Sequence, residues 1–346
     1  MFGQNDFGLR FVMILFHLMS VVLIYLISIP YISLQRNRLW LLLVFVLLPG
    51  VVSSAVVINS AGMIIFGLLF FVYIYDKTPQ LFSNILLLIF ALIDIGFAYL
   101  FLGLFIFFIK EKQHLLTLYV LGLYIVTSLL YGFNIFGYPK GHFLDTIGVY
   151  SAVFTPIIFI YLTYSLYRRY LTSSIDMIWY ITSTTLLLSL ALSFRQRIPI
   201  EDFAPYLIIA LPLAAQSFIS SYRVRLKIFR IRYKLAFVIS FILLISNTFI
   251  VFFNKELYTV IDNPQKHFAY KMHVAKELAA ELEKMNLKCV NTDKKMQQRL
   301  YFYNIDYCEE NILEESSING DERLSVTIRY KKTDLYKANV TNLNSL

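Results

Sequence analysis

Charge is scarce in this sequence. Only 15% of its 346 residues are charged, against 58% hydrophobic, and that balance excludes a soluble globular protein. Cysteine is scarcer still, with two in the chain, and the five histidines are scattered, so no metal-ligand spacing is present. There is no P-loop, no HExxH helix, no Ser–His–Asp pattern and no glycine-rich nucleotide loop. Internal repeats and low-complexity tracts are missing too. Those absences exclude the chemistries that depend on such devices. An enzyme built on this chain has to work with carboxylates and arginines.

Long apolar runs are what the sequence has in abundance. They lie at about 9–33, 39–57, 60–76, 81–109, 114–134, 147–169, 175–193, 202–221 and 233–253, and several exceed the roughly 20 residues that cross a bilayer. The first run is too long for a cleaved signal peptide, lacks a basic leader, and is followed by many more. The net charge of +9 does not point to nucleic acid, because the basic residues cluster between apolar runs, as the positive-inside rule has it. The richness in Ile, Phe, Tyr, Lys and Asn fits a bacterium with an AT-rich genome.

The expectation is therefore an all-α polytopic membrane protein of about ten spanning or half-spanning helices. Residues 1–254 form the membrane domain and residues 255–346 a small α/β domain. The count turns on 81–109, which is one tilted helix or a hairpin turning at Asp94–Gly96. Charge decides between them. The loop holding Arg223, Arg225, Lys227, Arg230, Arg232 and Lys234 must face the cytoplasm. Counting backward, Lys77, Arg36 and Arg38 fall on that side only if the chain turns at Asp94. That parity puts the N-terminus, the loops near 50–60, 135–147 and 194–201, and the whole tail on the periplasmic side. In the tail, Phe268, Met272, Ala275, Leu278, Leu282 and Met285 predict an amphipathic helix over about 265–286. LKCV and RLYFYNI read as strands, and the segments flanking Lys331–Asp334 as a hairpin.

Several polar residues stand out. YPKGHFLD supplies Lys140, His142 and Asp145; SFRQRIPIEDFAPY supplies Arg195, Arg197, Glu201 and Asp202. Paired arginines at an outer edge run against the positive-inside trend, and guanidinium binds phosphate bidentately. The alternative is mutual neutralisation of the arginines by Glu201 and Asp202, with interfacial snorkelling. Asp94 reads as a turn residue and His17 as a packing residue within the first span. Cys289 and Cys308 both fall in the tail, where an oxidising compartment permits a disulfide; two buried thiols are the alternative. The NVT at 339–341 is a glycosylation acceptor in form only.

The opening segment FGQNDFGLRFVMILFHLMSVVLIYLI resembles one that recurs in GT-C superfamily glycosyltransferases, in the family 39, protein mannosyltransferase and aminoarabinose transferase group. The matching positions are Phe2, Gly3, Asn5, Asp6, Leu9, Arg10, His17 and Tyr25. LLPGVVSSAVVINSAGMIIF and RQRIPIEDFAPYLIIALPL are similar to two later segments of that family, and the resemblance covers about residues 1–255. It implies transfer of a sugar from a polyprenyl-phosphate donor to a glycan, lipid or protein acceptor, at the outer face of a bacterial inner membrane. On that reading Arg195 and Arg197 contact the donor phosphate, Lys140 and His142 are further donors, and Glu201, Asp202, Asp145 and Arg10 are secondary or orienting groups. A carboxylate base activates the acceptor hydroxyl. In the family that base sits in an outer loop between a first span and the segment matched here. The catalytic base is therefore expected upstream of Met1. A start internal to a longer gene, a split gene and a shortened homologue stay open, so a non-catalytic subunit and a lipid-linked glycan flippase are the rival functions. No cofactor is implied, and a divalent metal stays open.

Overall fold

The computed structural model describes residues 6–56, 59–132, 141–172, 175–259, 263–266, 270–315, 325–331 and 333–342. It is mostly helical, with one small antiparallel sheet near its C-terminus. Lys140 lies outside the described residues. Two compact units separate near Phe252.

The first unit, residues 7–251, is a bundle of α-helices. Three are long and apolar enough to cross a membrane: α1 (Asp6–Ser28), α7 (His114–Tyr131) and α13 (Lys227–Phe252). Three bent pairs also qualify if each counts as one span. The first is α2 (Gln35–Leu47) with α3 (Pro49–Val56), bent by 57° where Pro49 follows Leu48. The second is α8 (Phe143–Phe154) with α9 (Pro156–Leu171). Here Thr155 takes φ +63° and Pro156 offers no N–H, so the helix cannot continue and turns by 104°. The third is α11 (Ile200–Ile208) with α12 (Leu211–Val224), bent by 44°. Shorter apolar helices complete the unit: α4 (Ser60–Tyr75), α5 (Gln80–Ala91), α6 (Ala98–Lys110, after a 3-10 turn at Ile95–Phe97) and α10 (Met177–Ser193).

The helical run over 81–109 does break, at Leu92–Asp94, between α5 and α6. Asp94 accepts a hydrogen bond from the Gly96 amide (2.7 Å), which fixes the turn. By contrast 147–169, which reads as one uninterrupted run, is the sharpest of the three bent pairs. Proline at the first turn of a helix is invisible to hydropathy, which is why the run looks continuous.

The α6 helix lies at the centre of this unit. Phe97, Leu100, Phe101, Leu104 and Phe108 are all buried. It approaches α10 so closely that a Cβ on Gly103 would sit 2.6 Å from the Ile181 Cα. Hydroxyls inside the bundle find partners at short range. Tyr150 donates to Ser189 Oγ (2.8 Å), Thr182 to the Tyr206 carbonyl (3.0 Å), and Tyr206 to the Gly96 carbonyl (2.6 Å). The outside is greasy, with Leu115, Leu118 and Leu129 more than two-thirds exposed on α7. His17 stacks on Phe45, ring centroids 6.2 Å apart.

The second unit contains α14 (Tyr270–Lys284), α15 (Lys294–Phe302) and strands β1 (Asn311–Glu315), β2 (Ser325–Tyr330) and β3 (Thr333–Asn342), in sheet order β1-β3-β2. Leu278, Leu282 and Val274 of α14 are fully buried, against Val326, Ile328 and Val340 of the sheet. The β2–β3 hairpin turns at Lys331, with φ +53°. Two strand readings fail. RLYFYNI is mostly the end of α15, because Met296 and Leu300, four apart, bury one helical face that begins beside Asp293. LKCV makes only isolated bridges, Cys289 to Asp306 and Asn291 to Ile312. Cys289 and Cys308 are joined by a disulfide.

Candidate functional site

The bundle gathers polar groups at its two ends. At the end that holds the charged loops, the C-terminus of α9 is locked to α10 and α12. Arg169, 10% exposed in its side chain, lies 3.2 Å from Asp176. Tyr31 donates to the same carboxylate oxygen (2.8 Å), while the other oxygen caps α10 through the Trp179 amide (3.0 Å). Arg169 also donates to Gln216 and Arg168 to Ser221, so three elements meet on two adjacent arginines. In the sequence, Arg168 and Arg169 carry no signal beyond that of basic residues between two apolar runs. Asp176, an acid just beyond an Arg–Arg pair and before an apolar helix, was the available signal.

The opposite end carries the residues singled out for chemistry. The His142 amide donates to the Ser193 carbonyl (2.8 Å), and Phe143 stacks on Phe194, centroids 4.8 Å apart. These contacts bring the start of α8 to the turn that leads into Arg195 and Arg197. Both arginines are exposed. The alternative, mutual neutralisation, is not seen: among the described residues no ion pair joins Arg195 or Arg197 to Glu201 or Asp202. His142 Nδ1 lies 3.3 Å from the exposed Asp145, and its Nε2 is buried without a hydrogen-bond partner among the described residues. Asp145 therefore orients His142 rather than any arginine.

Glu201 and Asp202 occupy the first turn of α11. Glu201 is exposed and Asp202 half-buried. Four residues on, Tyr206 holds the Gly96 carbonyl, and Gly96 in turn holds Asp94. Asp202 and Asp94 thus share one corner, close enough to feel each other's charge. Tyr99 lines the same corner, its ring centroid 4.1 Å from that of Phe203. The sequence reading treated Asp94 only as a turn residue, and its link to Asp202 across 108 positions leaves no local trace. Arg10, on the first turns of α1, has a buried Nε with no hydrogen-bond partner among the described residues.

The arrangement offers two exposed guanidinium groups, an imidazole with one unsatisfied nitrogen and a half-buried carboxylate at one end of the bundle. Cations of this kind bind a departing phosphate, and such a carboxylate can accept a proton. Among the described residues no group of three or more His, Cys, Asp or Glu side chains is placed to hold a metal ion. Comparison with known protein families, curated proteins and solved structures gives no match.

Proposed function

We propose that the protein is a polytopic membrane protein of bacterial inner membranes that acts as a GT-C-type glycosyltransferase, transferring a sugar from a polyprenyl-phosphate donor at the outer face. Among the described residues, three helices long and apolar enough to cross a membrane, or six if each bent pair is one span, support the membrane part of this reading. The observation that supports the reading is that the turn from α10 to α11 carries the exposed Arg195 and Arg197, with the His142 backbone held to its start and Asp202 in the first turn of α11. Arg195 and Arg197 hold the donor phosphate and stabilise it as it leaves. Asp202 is the carboxylate within this chain best placed to take the acceptor proton, because it is half-buried and feels the like charge of Asp94. The Cys289–Cys308 disulfide of the second unit supports an oxidising compartment for that unit.

The test is binding of a polyprenyl-phosphate sugar to the full-length protein in detergent, with and without Arg195→Ala and Arg197→Ala. Each charge-assisted contact is worth about 1.5–3 kcal/mol, so each substitution should weaken binding about tenfold or more. Unchanged affinity in the double variant overturns the assignment. The three bent pairs favour a second reading, passage of a lipid-linked glycan, because transporters build their sites from broken helices. Movement of a labelled lipid-linked glycan between leaflets of reconstituted vesicles, with no sugar transferred, would replace the first reading by the second.

A further inference from the structure

Between α2, α9, α12 and α13 lies a cavity of about 830 Å³ that neither the carboxylate corner nor the Arg195–Arg197 turn touches. Its walls are aromatic. Trp40 of α2 meets the edges of Phe237 and Phe241 at 5.6 and 5.9 Å, and Phe218 of α12 lies 5.5 Å from Tyr161. Small residues, Ala214 and Ala215, keep the α12 side open. The helix α13 closes the cavity loosely: of its 26 residues, only Ser240 and Leu244 are buried.

One end of this cavity is basic. Arg36, Arg223, Arg232 and Lys234 line it. No acidic residue occurs between Asp202 and Glu256, so the surrounding sequence holds no counter-ion. Nor does any of the four make an ion pair among the described residues. Their neighbours are engaged: Arg230 donates to the carbonyls of Arg223 and Arg225, and Arg225 lies over the Tyr233 ring at 5.0 Å. The fold therefore ties down two cations and leaves four aimed at one mouth of an apolar groove.

We infer that this groove is a binding site for an anionic phospholipid. The phosphate sits among Arg36, Arg223, Arg232 and Lys234, and the hydrocarbon chains run along Trp40, Phe218 and Phe241. Charge complementarity selects this occupant. A zwitterionic lipid would add its own cation to the four, and an apolar protein helix would leave them uncompensated. The site does not depend on glycosyl transfer and lies at the end of the bundle away from Arg195.

Trp40 makes the site directly readable. The chain has two tryptophans, and Trp179→Phe leaves Trp40 as the one fluorophore. The Trp179→Phe protein is reconstituted in phosphatidylcholine vesicles containing either brominated phosphatidylglycerol or brominated phosphatidylcholine, and bromine quenching of Trp40 is compared. Each basic side chain near an anionic lipid is worth about a fivefold preference, so brominated phosphatidylglycerol should quench at a much lower fraction. Arg223→Ala with Arg232→Ala should cut that preference about twenty-five-fold. Ala215→Phe, which plugs the groove and keeps all four cations, should abolish it in a second way. Free inorganic phosphate should not compete. Equal quenching by the two lipids, or a preference that survives Ala215→Phe, overturns the site. Suppression by phosphate would show an anion pocket without lipid and overturns it equally. A missing preference would leave the glycosyltransferase reading standing, because that is measured at Arg195 and Arg197.

Discussion

Replacing Gly103 by alanine sets two effects of opposite sign against each other. Alanine in a helix interior is favoured over glycine by about 1 kcal/mol. Against this, the new methyl group would lie 2.6 Å from the Ile181 Cα, 3.3 Å from its Cβ and 3.3 Å from its Cγ1. The nearest atom belongs to the α10 backbone and cannot rotate away, so α6 and α10 must separate by about an ångström. Overpacking of that kind costs typically 1–3 kcal/mol. It strikes the contact between two helices whose facing residues, Leu100, Leu104 and Ile181, are fully buried. Steric cost should therefore offset or exceed propensity, with a net loss of up to about 2 kcal/mol and a drop of up to a few degrees in unfolding temperature. Gly122→Ala is the internal standard: a Cβ there meets nothing within 4 Å, so it reports propensity alone and should leave the protein unchanged or slightly more stable. The assay is thermal unfolding of the full-length protein in detergent, followed by tryptophan emission and by aggregation. If Gly103→Ala unfolds at or above the temperature of Gly122→Ala, the tight α6–α10 contact is wrong.

Asp176→Asn keeps an oxygen for the Trp179 amide but removes the negative charge that faces Arg169, and should cost about 3 kcal/mol; Asp176→Ala should lose about 1 kcal/mol more with the cap. Equal stability of the two variants in the same unfolding assay would refute the capping role. Reduction of Cys289–Cys308, which closes a loop across 19 positions, should lower the stability of the second unit by about 3 kcal/mol. It would be seen as faster limited proteolysis of the tail under reducing conditions. The Glu256 carboxylate is held below its usual range by hydrogen bonds from Lys331 and Tyr330, and the Lys331 ammonium is held above its own by Glu256. Glu256 therefore contributes stability above the ordinary glutamate range and loses it as the pH falls through its lowered value; Lys331 loses its share as the pH rises through its raised value. Amide-exchange protection at Tyr330, corrected for intrinsic rates, should fall at both extremes, and Lys331→Met should flatten the profile.

Hydropathy and charge parity were enough to divide the chain into helices and to place the break at Asp94. Parity bears on that break because Lys77, Arg36 and Arg38 share a side with the basic loop at 223–234 only if the chain turns at Asp94. Parity says nothing about bends. Thr155–Pro156 sits in 22 uncharged residues between Asp145 and Arg168, so only the backbone angle at Thr155 reveals the turn. In the tail, the alternation in RLYFYNI imitates a strand, and the deciding information lay upstream in KKMQQ, whose residues favour a helix. The chemistry-bearing residues of the outer loops could be named from their types. Their partners could not: Asp202 reaches Asp94 through Tyr206 and Gly96, and Asp145 turns out to serve His142. The lipid groove was the least legible feature, since its walls come from four segments spread over about 210 positions and its cations had already been explained as topology signals.

The right-angled join of α8 and α9 has an electrostatic consequence. An α-helix carries roughly half a positive charge at its N-terminus and half a negative charge at its C-terminus. At Thr155 the negative end of α8 meets the positive end of α9, one residue apart. The two half-charges largely cancel where they meet, so the break needs no ion or charged side chain beside it. Tyr150 and Phe159, stacked across it at 5.4 Å, then seal an electrically quiet corner. A broken helix whose halves were pulled apart would expose both half-charges to the apolar interior. That asymmetry gives the protein a reason to hold this elbow shut.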